Sequence, residues 1–319
     1  MPEFSIIKNY FTTQTEHRKD VIRGIGDDAA IVKIPSGEEL VITTDTLVSG
    51  IHFLPSDAPY DIGYKSLAVN LSDLAAMGAT PAWITLALTL PTADENWIQN
   101  FCAGFFTLAN LHQVQLIGGD LTHGPLSITV QAMGLVPAGN ALLRSTAKPG
   151  DLIYVTGTLG NAGLALQHLQ GNVTLHPDYE KSIYLHLHRP EPRIAAGLAL
   201  RGIAHAAIDL SDGLAADLSH VLEESHVGAR VNVDQLPLSF ELSESISHEK
   251  AIELALTAGD DYELCFTVPP DKQTLLENQL SVLPCRFTCI GTITNKPGLD
   301  LHYQDGKKYH GVISGYEHF

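Results

Sequence analysis

Strand-like and helix-like hydrophobic periods alternate from one end of this chain to the other, and that alternation restricts it to a mixed α/β (α+β) class. In the first half, 29–34 and 40–44 read as strands separated by the turn Pro35-Ser36-Gly37, and 60–77 reads as a helix. Its apolar positions Leu67, Leu71, Leu74 and Ala75 recur at helical spacing, Ser66, Asn70, Asp73 and Met77 form a neighbouring stripe, and Gly78 supplies a stop. Strands at 83–90, 114–117 and 126–136 follow, with a helix over 95–111. The Pro- and Gly-containing stretch 138–149 reads as a boundary between an N-terminal domain, 1–137, and a C-terminal domain, 150–319. Beyond it, strands at 151–156, 206–210, 229–233 and 262–268 alternate with helices at 160–170, 191–201, 213–224 and 249–256.

Nineteen Lys and Arg stand against 36 Asp and Glu, so the surface repels a nucleic-acid backbone. The same charge repels nucleotides and phosphate esters unless divalent cations intervene. The aspartates therefore carry the argument. Asp27 and Asp28 lie in GIGDDAA, Asp45 in VITTDTL, Asp120 in LIGGDLT, Asp209 and Asp212 in AIDLSDG, and Asp260 and Asp261 in AGDDYEL. Each sits beside glycine or at the end of an apolar run, where backbone is tight and a ligand can approach. An aspartate after a strand is often only a turn former, and Asp212 before Gly213 has that option. Repetition of one residue type at five strand ends points instead to a site for hard cations, and oxygen donors without Cys or His at ligand spacing favour Mg²⁺ over zinc.

Neither a P-loop motif nor a protein-kinase catalytic loop is present. Gly157, Gly160 and Gly163 form a G-x-x-G-x-x-G run between a strand and a helix, which could cradle an anion or simply make a tight turn. The four cysteines, Cys102, Cys265, Cys285 and Cys289, lack zinc-finger spacing and read as buried thiols. The opening MPEFSIIKNYF lacks a signal-peptide pattern, and no apolar segment is long enough to span a membrane, so a cytoplasmic protein without membrane partners is expected.

Taken in order, GIGDDAA, TTDTLVSGIHF, VNLSDLAAMGATPAW, LIGGD, LLRSTAKPGD, AIDLSDGL, GDDYELCF and the terminal GYEHF resemble the thiamine-monophosphate kinase family, within the superfamily of aminoimidazole ribonucleotide synthetase. The resemblance implies an N-terminal domain on a four-stranded sheet that pairs with a twofold mate as a dimer-interface barrel, followed by a larger C-terminal α/β domain. It implies a homodimer that uses ATP and several Mg²⁺ ions to phosphorylate thiamine monophosphate. Carried over residue by residue, it gives Asp28, Thr43, Thr44, Asp45, Asp73, Asp120, Asp209 and Asp212 to the metals, Gly119, Asp120, Arg144 and Ser211 to ATP, and His52, Asp260 and Tyr316 to the thiamine phosphate. No residue is assigned as general base, because the attacking phosphate oxygen is already ionised. The chain departs from the family pattern at Leu121, at Asp260 where Glu is usual, and at Asn161 in a shortened glycine turn. Two other readings stay open: another ATP-using member of the superfamily, and a Mg-nucleotide sensor that does not transfer phosphate. Selenophosphate synthetase is disfavoured because no cysteine lies in the first 25 residues.

Overall fold

The structure is a computed structural model and describes residues 2–13 and 17–315. Contacts divide the chain into two units, Met1–Leu74 with Ala79–Gly139, and Ala75–Gly78 with Asn140–Phe319. Both mix sheet and helix.

The first unit opens with a short helix, α1 (Glu3–Ile6), that continues as a π-type turn over Ile7–Thr12. The hairpin-like pair β1 (Val21–Arg23) and β2 (Ile31–Val32) follows. The main sheet runs in the order β3 (Glu38–Val48), β6 (Ser127–Pro137), β4 (Thr80–Leu90), β5 (Gln115–His123), antiparallel except for β4 with β5. Two long helices, α2 (Pro59–Ala76) and α3 (Glu95–Leu111), complete it. The α3 boundaries follow from Asp94, whose carboxylate accepts the Trp97 N–H at 3.0 Å as an N-cap. Strand alternation then sorts the sheet into two faces. On one, Ile128, Val130, Ala132 and Val136 are buried, and Gly134 meets Leu74 of α2. On the other, Trp83, Ile117, Met133 and Leu135 cluster with Val21, Val32 and Leu40. The register sets Thr46, Thr129, Ala87 and Asp120 in one row across that second face.

Two strands run longer than their apolar patterns predict. β3 continues through Asp45 to Val48, and β5 through Gly118-Gly119-Asp120 to His123. Asp45 and Asp120 therefore lie on strands, not past their ends. A strand of modest hydrophobicity is held here by its ladder, so polar residues within it resemble termini when read from sequence.

The second unit holds a six-stranded sheet in the order β12 (Gly298–His302), β9 (Gly228–Asn232), β11 (Phe287–Thr294), β7 (Leu152–Thr156), β10 (Leu264–Val268), β8 (Ala206–Asp209), antiparallel except for β12 with β9. Its helices are α4 (Asn161–Leu169), α5 (Pro177–His188), α6 (Ile194–Leu200), α7 (Leu214–Ser225), α8 (Phe240–Ser245), α9 (His248–Thr257) and α10 (Gln273–Leu280). Ile153, Val155, Ile208 and Val231 pack on Leu214, Leu218 and Leu222 of α7. A second core joins Leu164 and Ala165 of α4 to Ile183, Leu242 and Leu254. Among the described residues no helix is long and apolar enough to cross a membrane.

Candidate active site

In the first unit the expected residues fall into two groups. Thr43 and Asp45, two residues apart on β3, share a face, and the Thr43 hydroxyl donates to Asp73 Oδ2 on α2. Asn70, fully buried one turn before Asp73, accepts the Asp45 backbone N–H at 3.2 Å and donates to Ser66 O at 3.1 Å. Asn70 on α2 thereby holds Asp45 through its backbone. From sequence Asn70 was only part of a polar stripe; its role depends on which strand α2 lies against. Thr44 faces the other way, where its hydroxyl accepts from Gln131 Nε2 at 3.4 Å. Thr43 and Thr44 thus present their hydroxyls to opposite faces of the sheet, Thr44 to the face that carries Asp120.

The second group lines a pocket of about 850 Å³ at the β5 edge, where Asp28, Gly119, Asp120 and Leu121 join Phe4, Ile7, Phe11 and Ile25 in its lining. A Cβ at Gly119 would stand 1.9 Å from the Leu86 carbonyl oxygen, so only glycine permits this approach of β5 to β4. Asp27, adjacent in sequence, serves structure: it takes Arg23 Nε at 2.8 Å and the Asp28 N–H at 3.0 Å. The Arg23 bond, with the Asp28 N–H, lowers its carboxyl below the usual range.

His52 follows β3 and accepts the Val48 N–H at Nδ1 (3.0 Å), while its carbonyl receives the buried Lys65 Nζ at 3.3 Å. With Nδ1 engaged as acceptor, the neutral ring carries its proton at Nε2 and presents a donor there.

In the second unit, Asp209 ends β8 and is 3% exposed. The following turn, Ser211-Asp212-Gly213, is tied to the segment after α9 by Asp260 N–H to Ser211 O at 2.9 Å and Tyr262 N–H to Leu210 O at 2.8 Å. Asp260 (φ 69°) and Tyr262 (φ 48°) are both left-handed without being glycine, a conformation costing about 1–3 kcal/mol each and concentrated at functional sites. Arg144 is anchored beside α7, its carbonyl accepting from Ser225 Oγ at 2.8 Å. Gly315 leaves no room for a Cβ against Asp212 O and Ala216. The expectation for Tyr316 lies outside the described residues.

Asp212 does not cap α7; Asp217, buried within the helix, turns back and accepts both the Asp212 and Gly213 N–H groups at 3.1 Å. Burial pushes its carboxyl up to about 7, against the opposing pull of those N–H donors and of Arg144. Between pH 4 and 7 the unfolded chain sheds this proton while the folded chain keeps it, so this carboxyl's contribution to stability falls as pH rises through that window. Asp217→Asn keeps an acceptor oxygen and never ionises. Measured in EDTA, its stability relative to wild type is expected to rise by up to about 1.4 kcal/mol per pH unit across this window and then level. A difference that does not change with pH would contradict the protonated state.

The glycine run holds no vacant anion cradle. Gly160 N–H already donates to Asp261 Oδ2 at 2.8 Å, and burial raises that carboxyl well above its ordinary range. A Cβ at Gly157 would meet Glu263 Oε1 at 1.9 Å, and one at Gly163 would meet Ala258 Cβ at 2.4 Å. Asp261, read from sequence as a candidate beside Asp260, is thus an internal partner of α4.

Among the described residues no three His, Cys, Asp or Glu side chains gather as a metal cluster. The donors present are nonetheless all hard oxygens, carboxylates with the Thr43 hydroxyl, and fit a Mg²⁺ ion that keeps waters and phosphate oxygens in its shell.

Both units match one class of domain. Residues 26–136 match the AIR synthase related protein, N-terminal domain, and residues 148–304 match the AIR synthase related protein, C-terminal domain. The chain is 51% identical to thiamine-monophosphate kinase of Escherichia coli (strain K12), over 99% of this chain and 98% of that protein. The crystal structure of thiamine-monophosphate kinase from Stenotrophomonas maltophilia K279a superposes with a TM-score of 0.86 at 50% identity, covering 92% of this chain and 93% of that one. AaThiL complexed with AMPPCP and TMP gives a TM-score of 0.78 at 32% identity over 92% of each chain. The chain belongs to the thiamine-monophosphate kinase family and is an enzyme of that kind.

Proposed function

We propose that the chain transfers the terminal phosphoryl group of ATP to the phosphate of thiamine monophosphate, in line and in one step, giving thiamine diphosphate and ADP. The observation that carries this reading is full-length identity of about half with a thiamine-monophosphate kinase, joined to likeness with a relative complexed with AMPPCP and TMP. The β5-edge pocket supports it: its apolar lining residues suit a base, its volume suits a nucleotide, and its aspartates suit phosphates carried with a cation.

In this reading Asp28, Thr43, Thr44, Asp45, Asp73, Asp120, Asp209 and Asp212 hold Mg²⁺ directly or through phosphate oxygens, Thr44 from the face it shares with Asp120. What Mg²⁺ supplies when bound is cancellation of the charge that keeps two phosphate anions apart. Gly119 lets the nucleotide approach the backbone, and Arg144 and Ser211 donate to its phosphates. His52 donates from Nε2 to the thiamine phosphate, which Asp260 and Tyr316 hold with it. The attacking oxygen carries no proton at neutral pH, so positioning replaces a general base. We place this reaction in the cytoplasm and in a homodimer; the exposed Ile42 on the second sheet face supports a pairing surface there.

The test is incubation of purified protein with ATP, Mg²⁺ and thiamine monophosphate, with products read by mass spectrometry. Thiamine diphosphate and ADP are expected in equal amounts, and EDTA is expected to stop both. Tight ATP binding with no product would favour the sensor reading instead.

A further inference from the structure

Asp260 and Tyr262 hold left-handed backbone angles, φ 69° and 48°, that side chains bearing a Cβ rarely adopt and that surrounding contacts must hold at Tyr262 above all. Three sets of contacts hold the turn. The β8 end contributes Ser211 O to Asp260 N–H (2.9 Å) and Leu210 O to Tyr262 N–H (2.8 Å), and Leu210 N–H returns to Glu263 O at 2.8 Å. The start of α4 takes the Asp261 carboxylate through Gly160 N–H at 2.8 Å. Beneath the turn, Glu263 receives a guanidinium fork, Arg193 Nε to Oε2 at 2.7 Å and Nη2 to Oε1 at 2.6 Å, with the Thr156 hydroxyl on Oε2 at 2.6 Å. Glu263 is 3% exposed. Gly157 leaves the space its carboxylate fills.

Stability alone does not call for such a pair, since well-packed apolar side chains in place of a buried ion pair are often as stabilising. Direction is what a fork adds. Two parallel bonds fix the plane and rotation of the carboxylate, and Glu263 is three residues from Asp260 along a turn already held at both N–H groups. We propose that Arg193 and Glu263 are positioning residues that hold Asp260 in place for thiamine monophosphate, an inference resting on the substrate role proposed above for Asp260. Neither touches the reacting atoms.

The test uses full-length E263Q, R193K and the paired R193M/E263M. E263Q keeps the shape and loses the charge, R193K keeps the charge and loses the fork, and the double variant fills the site with apolar bulk, so that folding survives loss of the pair. KM for thiamine monophosphate is expected to rise about tenfold or more in each, while KM for ATP stays within about twofold and the melting profile remains that of a folded protein at assay temperature. Folded variants with KM for thiamine monophosphate unchanged, or with both KM values raised together, would overturn the inference, as would failure of all three to fold. Absence of thiamine-monophosphate-dependent ADP release in the wild type would remove the substrate reading itself, and this inference with it. Wild-type turnover with unaltered variants sinks the inference alone.

Discussion

Asp45→Asn and Asp120→Asn are each expected to lower kcat by about a hundredfold or more while leaving the circular dichroism spectrum and unfolding midpoint near wild type. The separation of activity from fold follows from how each residue is held. Asp45 is fixed through its backbone N–H on Asn70, a contact the amide substitution leaves untouched, and β3 keeps its pairing to β6. Asp120 is exposed on β5 and pairs through its backbone with Ala87. What the substitution removes is negative charge, the property that draws a hard cation and its phosphate oxygens. Raising Mg²⁺ should recover part of the loss if the variants bind metal weakly. Near-normal turnover of both at ordinary Mg²⁺ would refute the metal assignment.

How much could be read beforehand depended on whether a residue's role was local. The α3 limits were legible at both ends because an Asp N-cap and a continuous apolar face lie within one stretch of chain. The strands carrying Asp45 and Asp120 were read too short, since only their ladders with β6 and β4 reveal that the polar residues belong inside. α5, α10, β11 and β12 went unread: α5 is rich in His and charged residues, and β11 in Thr and Gly, so neither shows a clear period. At the site, the aspartates announced themselves by type and setting. Their supports did not. Asn70, Glu263 and Arg193 act on backbone or side chains distant in sequence, Asp217 acts on N–H groups only four and five residues back, and a buried Asn or Asp on a helix carries no mark that distinguishes it from a surface one. The partner of Asp261 at Gly160 is likewise distant in sequence, brought in by the pairing of β7 with β10.

Gly104→Ala is expected to be the most damaging single-methyl change in the first unit, costing about 3 kcal/mol of stability and much of the activity. A Cβ there would lie 1.8 Å from the Tyr60 carbonyl oxygen and 2.7 Å from its carbon; across the same crossing, one at Gly63 would lie 2.1 Å from Phe101 O. These are backbone atoms of the opposing helix, so no side-chain rotation relieves them and α2 and α3 must separate. The separation opens a core in which Leu67, Phe101 and Phe105 are fully buried. It also reaches the site, because Asn70 is about two turns beyond Gly63 on α2 and Asp73 about one more. Shifting α2 lengthens the Asn70 contact to Asp45 and the Thr43 contact to Asp73 together, so kcat should fall even at temperatures where the variant is folded. Gly118→Ala is the stability control, since a Cβ there meets nothing within 4 Å. Urea unfolding followed by circular dichroism distinguishes the two, and a Gly104→Ala protein as stable as Gly118→Ala would mean that the crossing yields more easily than its backbone contacts imply.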